Sequence, residues 1–123
     1  MFKGFVLSES LKNPSILNNF EKIYVKVEHH DETKGRPKIW HDFKLKFKDK
    51  DITKITYLLS EQIKEKWYAH FWNDREVYVV LSSKVFRIPK EPQKWQSKEY
   101  QELESYAMSH GIEEKYLNFW IEE

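Results

Sequence analysis

At 123 residues the chain is the size of one domain and long enough for a single hydrophobic core. Charged residues make up 33% of it, but 21 Lys and Arg stand against 20 Asp and Glu; a net charge of +1 argues against any strong global pull toward nucleic acid or membrane. With no cysteine, disulfides, thiolate metal sites and cysteine nucleophiles are excluded.

Met1-Phe2-Lys3-Gly4 leads straight into a short apolar run instead of a signal-peptide pattern. No stretch nears the ~20 apolar residues of a membrane span. The expectation is a cytoplasmic protein with no membrane contact. Aromatic residues reach 16%, five of them Trp. Either they fill a core poor in Leu, Ile and Val, the preferred reading, or some line a cleft or a contact.

Residues 2–7 (FKGFVL) are apolar on both faces, as suits a central strand. Pro14 after Asn13 predicts an irregular turn and then a short helix starting near Asn13. Residues 22–30 alternate: Ile23, Val25, Val27 and His29 on one face, Tyr24, Lys26, Glu28 and His30 on the other. This predicts a half-buried strand. After a polar loop with Gly35 and Pro37, residues 39–47 alternate again, with Ile39, His41, Phe43, Leu45 and Phe47 opposite Trp40, Asp42, Lys44 and Lys46. The two strands make a hairpin.

Asp49 and Asp51 suit a helix start. Ile52, Ile55, Leu58, Leu59 and Ile63 then follow the helical period over 50–65. Residues 66–89 read as a three-stranded meander near 67–72, 76–82 and 84–88, broken at Asn73-Asp74-Arg75-Glu76 and at Ser82-Ser83-Lys84. Ser97 caps a last helix from Lys98 to about Ser109, with Tyr100, Leu103 and Ala107 inward and Gly111 as its stop. The apolar tail with Ile112, Tyr116, Leu117, Phe119, Trp120 and Ile121 should dock. The fold class predicted is α+β: a ferredoxin-like βαββαβ core with an added β-meander and a C-terminal helix, one domain over residues 1–123.

No catalytic motif stands out. Three scattered glycines (Gly4, Gly35, Gly111) cannot form a phosphate loop, and Ser82-Ser83 is a turn with no nucleophile elbow around it. The pairs Asp49/Asp51 and Glu113/Glu114 sit at helix starts, where acids favour the dipole, and Asp31/Glu32 sits in a loop. His29 and His30, neighbours on a strand, point to opposite faces, so no metal site and no cofactor is expected.

Two surfaces remain. Tyr24, Lys26, Trp40, Lys44 and Lys46 share a sheet face, the aromatic–lysine pattern of single-stranded nucleic-acid binders, although no RNP1-like run accompanies it. Trp40, His41, Tyr68, His70 and Trp72 are the candidates for lining a small-ligand cleft. The meander, apolar on both sides, must be covered on both sides, by the C-terminal helix or by a twin subunit in a homodimer.

The run WYAHFWNDREVYVVLSSKVFRI, with LSESLKNPSILNNFE before it and LLSEQIKEKWYAHFW across the helix end, resembles a family of small bacterial and archaeal proteins without an established activity. Their shared run has Gly or Lys at the place of Lys66. The resemblance implies one compact domain and carries over no catalytic residue. The leading functional expectation is a non-enzymatic binding module that uses its aromatic-rich sheet for self-association, or for a small ligand or protein partner. The alternatives are single-stranded nucleic-acid binding and an enzyme of unassigned reaction.

Overall fold

The computed structural model describes residues 1–31, 35–90 and 97–117. Six strands form one antiparallel sheet: β1 (Phe2–Leu7), β2 (Glu21–His29), β3 (Ile39–Phe47), β4 (Ala69–Trp72), β5 (Glu76–Leu81) and β6 (Lys84–Pro89). Their order across the sheet is β2-β3-β1-β4-β5-β6. Helices α1 (Ile52–Gln62) and α2 (Lys98–Ser109), with short 3-10 turns, complete an α+β architecture. No helix among the described residues is long and apolar enough to cross a membrane.

The strand that is apolar on both faces, β1, takes a central place between β3 and β4. Its Gly4 faces Phe71 across the β1–β4 pair, and a Cβ there would fall 2.1 Å from the His70 carbonyl oxygen and 2.2 Å from the Phe71 ring. Only glycine lets the Phe71 ring close over that backbone.

On the first face of the sheet, Phe2, Val6, Leu45, Phe47 and Phe71 pack against Ile52, Ile55, Leu59 and Ile63. The buried stripe of α1 is rotated from the expected one. Leu58 is exposed, whereas Thr56 and Ser60 are buried and donate hydroxyl hydrogen bonds of 2.7 Å to the Ile52 and Tyr57 carbonyls. On the second face α2 lays Tyr100, Leu103 and Ala107 over Val77, Val79, Leu81 and Ile88. Its Ser97 cap accepts from the Tyr100 N–H at 3.0 Å, and Gly111, at φ 91°, ends it.

The short helix expected near Asn13 is a 3-10 turn, Pro14–Asn19. Asn13 caps it through the Ser15 N–H at 3.2 Å, but only six residues separate that cap from the turn's end before β2, too few for a propagated α-helix. The segment is instead tied to the end of α1 by Lys12 N–H to the Gln62 carbonyl and Lys64 N–H to the Ser10 carbonyl, both 2.8 Å.

The meander is covered within its own chain: all four residues of β4 are buried. Strand β2 is the reverse. Ile23, Val25 and Val27, expected on the inner side of a half-buried strand, are exposed, the last two at 50% and 52%. Helix α1 packs over β5 and β6 and the turn Ser8–Ser10 over β3, so the first face of this edge strand lies beyond their reach. Of the tail, Ile112 and Leu117 are buried as expected; Phe119, Trp120 and Ile121 lie outside the described residues, as does Glu32.

Candidate ligand site on the second sheet face

Strands β2 and β3 pair in a register that sets Glu28 opposite Trp40 and Lys26 opposite Asp42. Glu28 and Asp42 are therefore diagonal neighbours on one face, about 7–8 Å apart at the backbone. Across β3, Leu7 of β1 faces Asp42, and Phe5 of the same strand faces His70 of β4. Phe5, Leu7, Glu28, Trp40, Asp42 and His70 floor a cavity of about 260 Å³. Trp67 and Tyr68, just before β4, form one wall, and Ile112, Lys115 and Tyr116 from the C-terminal segment close over another. Arg36 and Lys66 line it too.

The aromatic walls are held by specific contacts. Trp40 donates its indole N–H to the Pro37 carbonyl at 2.7 Å, stacks on His30 at 3.6 Å and meets Trp67 edge-on at 5.3 Å. Tyr68 donates its hydroxyl to the Tyr116 carbonyl, tying the C-terminal segment to the sheet. The Arg36 guanidinium lies 4.5 Å from the Trp67 ring and 5.6 Å from that of Tyr116, and donates to the Lys66 carbonyl. His70 is buried between Phe5 and Trp72, whose ring stacks on it at 5.6 Å.

Asp42 is the unusual group of the floor. Burial, and then the negative charge of Glu28, push its carboxyl up to about 7; Lys26 offsets this in part and Glu9 adds to it. An acid that changes charge near neutrality in an aromatic cavity is a chemical handle. Glu28 lies 3.8 Å from the Lys26 ammonium and 3.6 Å from His30 Nε2.

The cleft candidates divide. Trp40, Tyr68 and His70 come together in the cavity, while Trp72 backs His70 outside its lining. His41 is on the first face, where the Glu9 carboxylate accepts from its backbone N–H at 2.6 Å and lies 2.7 Å from its Nδ1. Burial would raise the Glu9 carboxyl, but these two bonds, with those from its own backbone and the Ser8 side chain, together outweigh it and hold the group below its ordinary range. Tyr24, Lys26, Trp40, Lys44 and Lys46 do share the second face. Trp40 is only 7% exposed, however, and Lys44 5%, its ammonium enclosed 5.7–5.8 Å from the rings of Phe5, Tyr24 and Trp72.

Sequence reasoning passed over Asp42, Glu28, Arg36, Trp67 and Tyr116. The first two were within reach: both strand alternations are legible, and a hairpin register would have put the two acids side by side. Among the described residues no group of three or more His, Asp or Glu gathers as metal ligands. No family model, no curated protein and no solved structure matches the chain.

Proposed function

We propose that the protein is a small non-enzymatic binding module that takes up a small organic ligand on the second sheet face. The observation that carries this reading is the cavity: about 260 Å³, walled by Trp40, Trp67, Tyr68 and Tyr116, with Asp42, Glu28 and His70 on its floor and Arg36, Lys66 and Lys115 around it. Ligand sites combine such apolar walls with a few convergent polar groups, commonly in about 300–1,000 Å³. A volume just below that range suits a small ligand. The test is a fragment library followed by ligand-observed NMR and by the fluorescence of Trp40 and Trp67. Fragments that compete with one another and lose binding in Trp67→Ala support the reading; a library without a hit sinks it.

A second reading, self-association, is favoured by the exposed Ile23, Val25, Val27 and Ile39 along the edge of the sheet. Light scattering would then give twice 15.1 kDa, and Val25→Lys would return the monomer mass. The stacking platform that single-stranded nucleic acid requires has no support in a buried Trp40 and Lys44. We also read strands β1 to β4 as a ferredoxin-like half. Its support is their order β2-β3-β1-β4 and uniformly antiparallel pairing, with the first crossover helix reduced to 3-10 turns.

A further inference from the structure

We infer that the cavity takes a small organic cation, an amine on a flat apolar body, with its ammonium seated at the Asp42–Glu28 pair and its body against the indoles of Trp40 and Trp67. This rests on the cavity's being a ligand site and names the chemistry of the ligand. Three observations point the same way. The polar groups on the β2–β3 floor of the cavity are two carboxylates on adjacent strands. The walls are electron-rich aromatic rings, whose faces attract cations, as that of Trp67 does the Arg36 guanidinium. None of the cations that line the cavity is among the charges that shift Asp42: Arg36 lies over the Trp67 and Tyr116 rings, Lys115 is 3.5 Å from Glu113, and the stem of Lys66 runs past Gly111.

A buried acid that burial drives toward its neutral form is one that an incoming positive charge would ionise and stabilise. Uptake of a cation therefore strengthens as pH rises through the Asp42 titration. Lys26 and Glu28 from β2 and Glu9 from the turn after β1 act on that group, and His70 from β4, Arg36, Lys66 and Lys115 line the same cavity. Asp42→Asn keeps all of these and removes only the acid.

The experiment titrates benzylamine, benzyl alcohol and benzoate into the full chain by calorimetry and tryptophan fluorescence at pH 6 and pH 8. Benzylamine should bind in preference to the other two, and about tenfold more tightly at pH 8 than at pH 6, the ratio set by an acid that is half ionised near 7. Asp42→Asn should weaken the amine at pH 8 by at least about tenfold and abolish its pH dependence. Lys26→Met, which removes the resident positive charge beside the pair, should tighten it. A preference for benzoate, amine binding unchanged in Asp42→Asn, or no amine binding at millimolar concentration would each overturn the inference. If other fragments still compete for the cavity, only the ligand class is wrong; if none does, the binding-site reading falls with it.

Discussion

His41 and Asp42 are neighbours on β3, yet they face two differently built environments. On the first face the Glu9 carboxylate meets two hydrogen bonds from His41 and is held below its ordinary range. On the second, Asp42 meets burial and another acid, and is pushed up to about 7. Over β5 and β6 the first face is covered by α1 and the second by α2, but the second also holds a cavity over β3, β1 and β4. An acid that meets hydrogen-bond donors is held ionised, whereas one that meets burial and a second acid is driven toward its neutral form. Under the proposed reading, the contrast marks the second face as the place where function would reside.

The largest effect should come from the packed face. Phe71 is fully buried, with its ring edge-on to Phe47 at 5.2 Å. Phe71→Ala should cost about 3–5 kcal/mol in denaturant unfolding. A loss below about 1 kcal/mol would mean that this face is not the tight layer described.

The next effect has the opposite sign and belongs to the open face. Because the Asp42 pKa is raised on folding, from 3.8 to about 7, folding favours its protonated form. Its contribution is complete below pH 4, is lost as pH rises toward 7, and leaves an ionised, strained carboxylate above that. Asp42→Asn should flatten the stability profile between pH 4 and 7, and at pH 8 stabilise the fold by up to about 4 kcal/mol. Thermal unfolding across that range measures it, and parallel profiles for the two proteins would refute the assignment.

Glu9 supplies the converse. Its pKa is lowered, so its contribution is present above the unfolded value of 4.5 and is lost as pH falls below it. Glu9→Gln should cost about 1 kcal/mol at neutral pH and progressively less as pH falls below 4.5. A loss that does not change with pH would assign the effect to packing instead of charge.

These two acids also show what a sequence can carry. Strand alternation was legible, and with it the faces of β2 and β3 and the shared face of Trp40 and Asp42. The packing of β2 was not, because a strand's apolar face is inward only if another element reaches it, and α1 does not extend to this edge. The cavity was half legible. Tyr68, His70 and Trp40 follow from strand parity, but Arg36, Trp67 and Tyr116 arrive from separate segments through a guanidinium–ring contact and a backbone hydrogen bond that no local pattern encodes.

The smallest effect lies at the seam between the faces. Lys66 has φ 73°, in the left-handed region where a side chain costs about 1–2 kcal/mol and glycine costs nothing. Lys66→Gly relieves that strain but makes the unfolded chain more flexible, by roughly 0.5–1 kcal/mol. The net should be a stabilisation of a few tenths of a kcal/mol, readable as a small rise in the unfolding midpoint. The same substitution removes a positive charge from the lining of the cavity that also holds Asp42 and Glu28. The amine should then bind slightly more tightly, although the two packed layers are untouched. A drop in stability would mean that the contact of the Lys66 stem with Gly111 outweighs the backbone strain, and that the seam is held by packing and not by the turn.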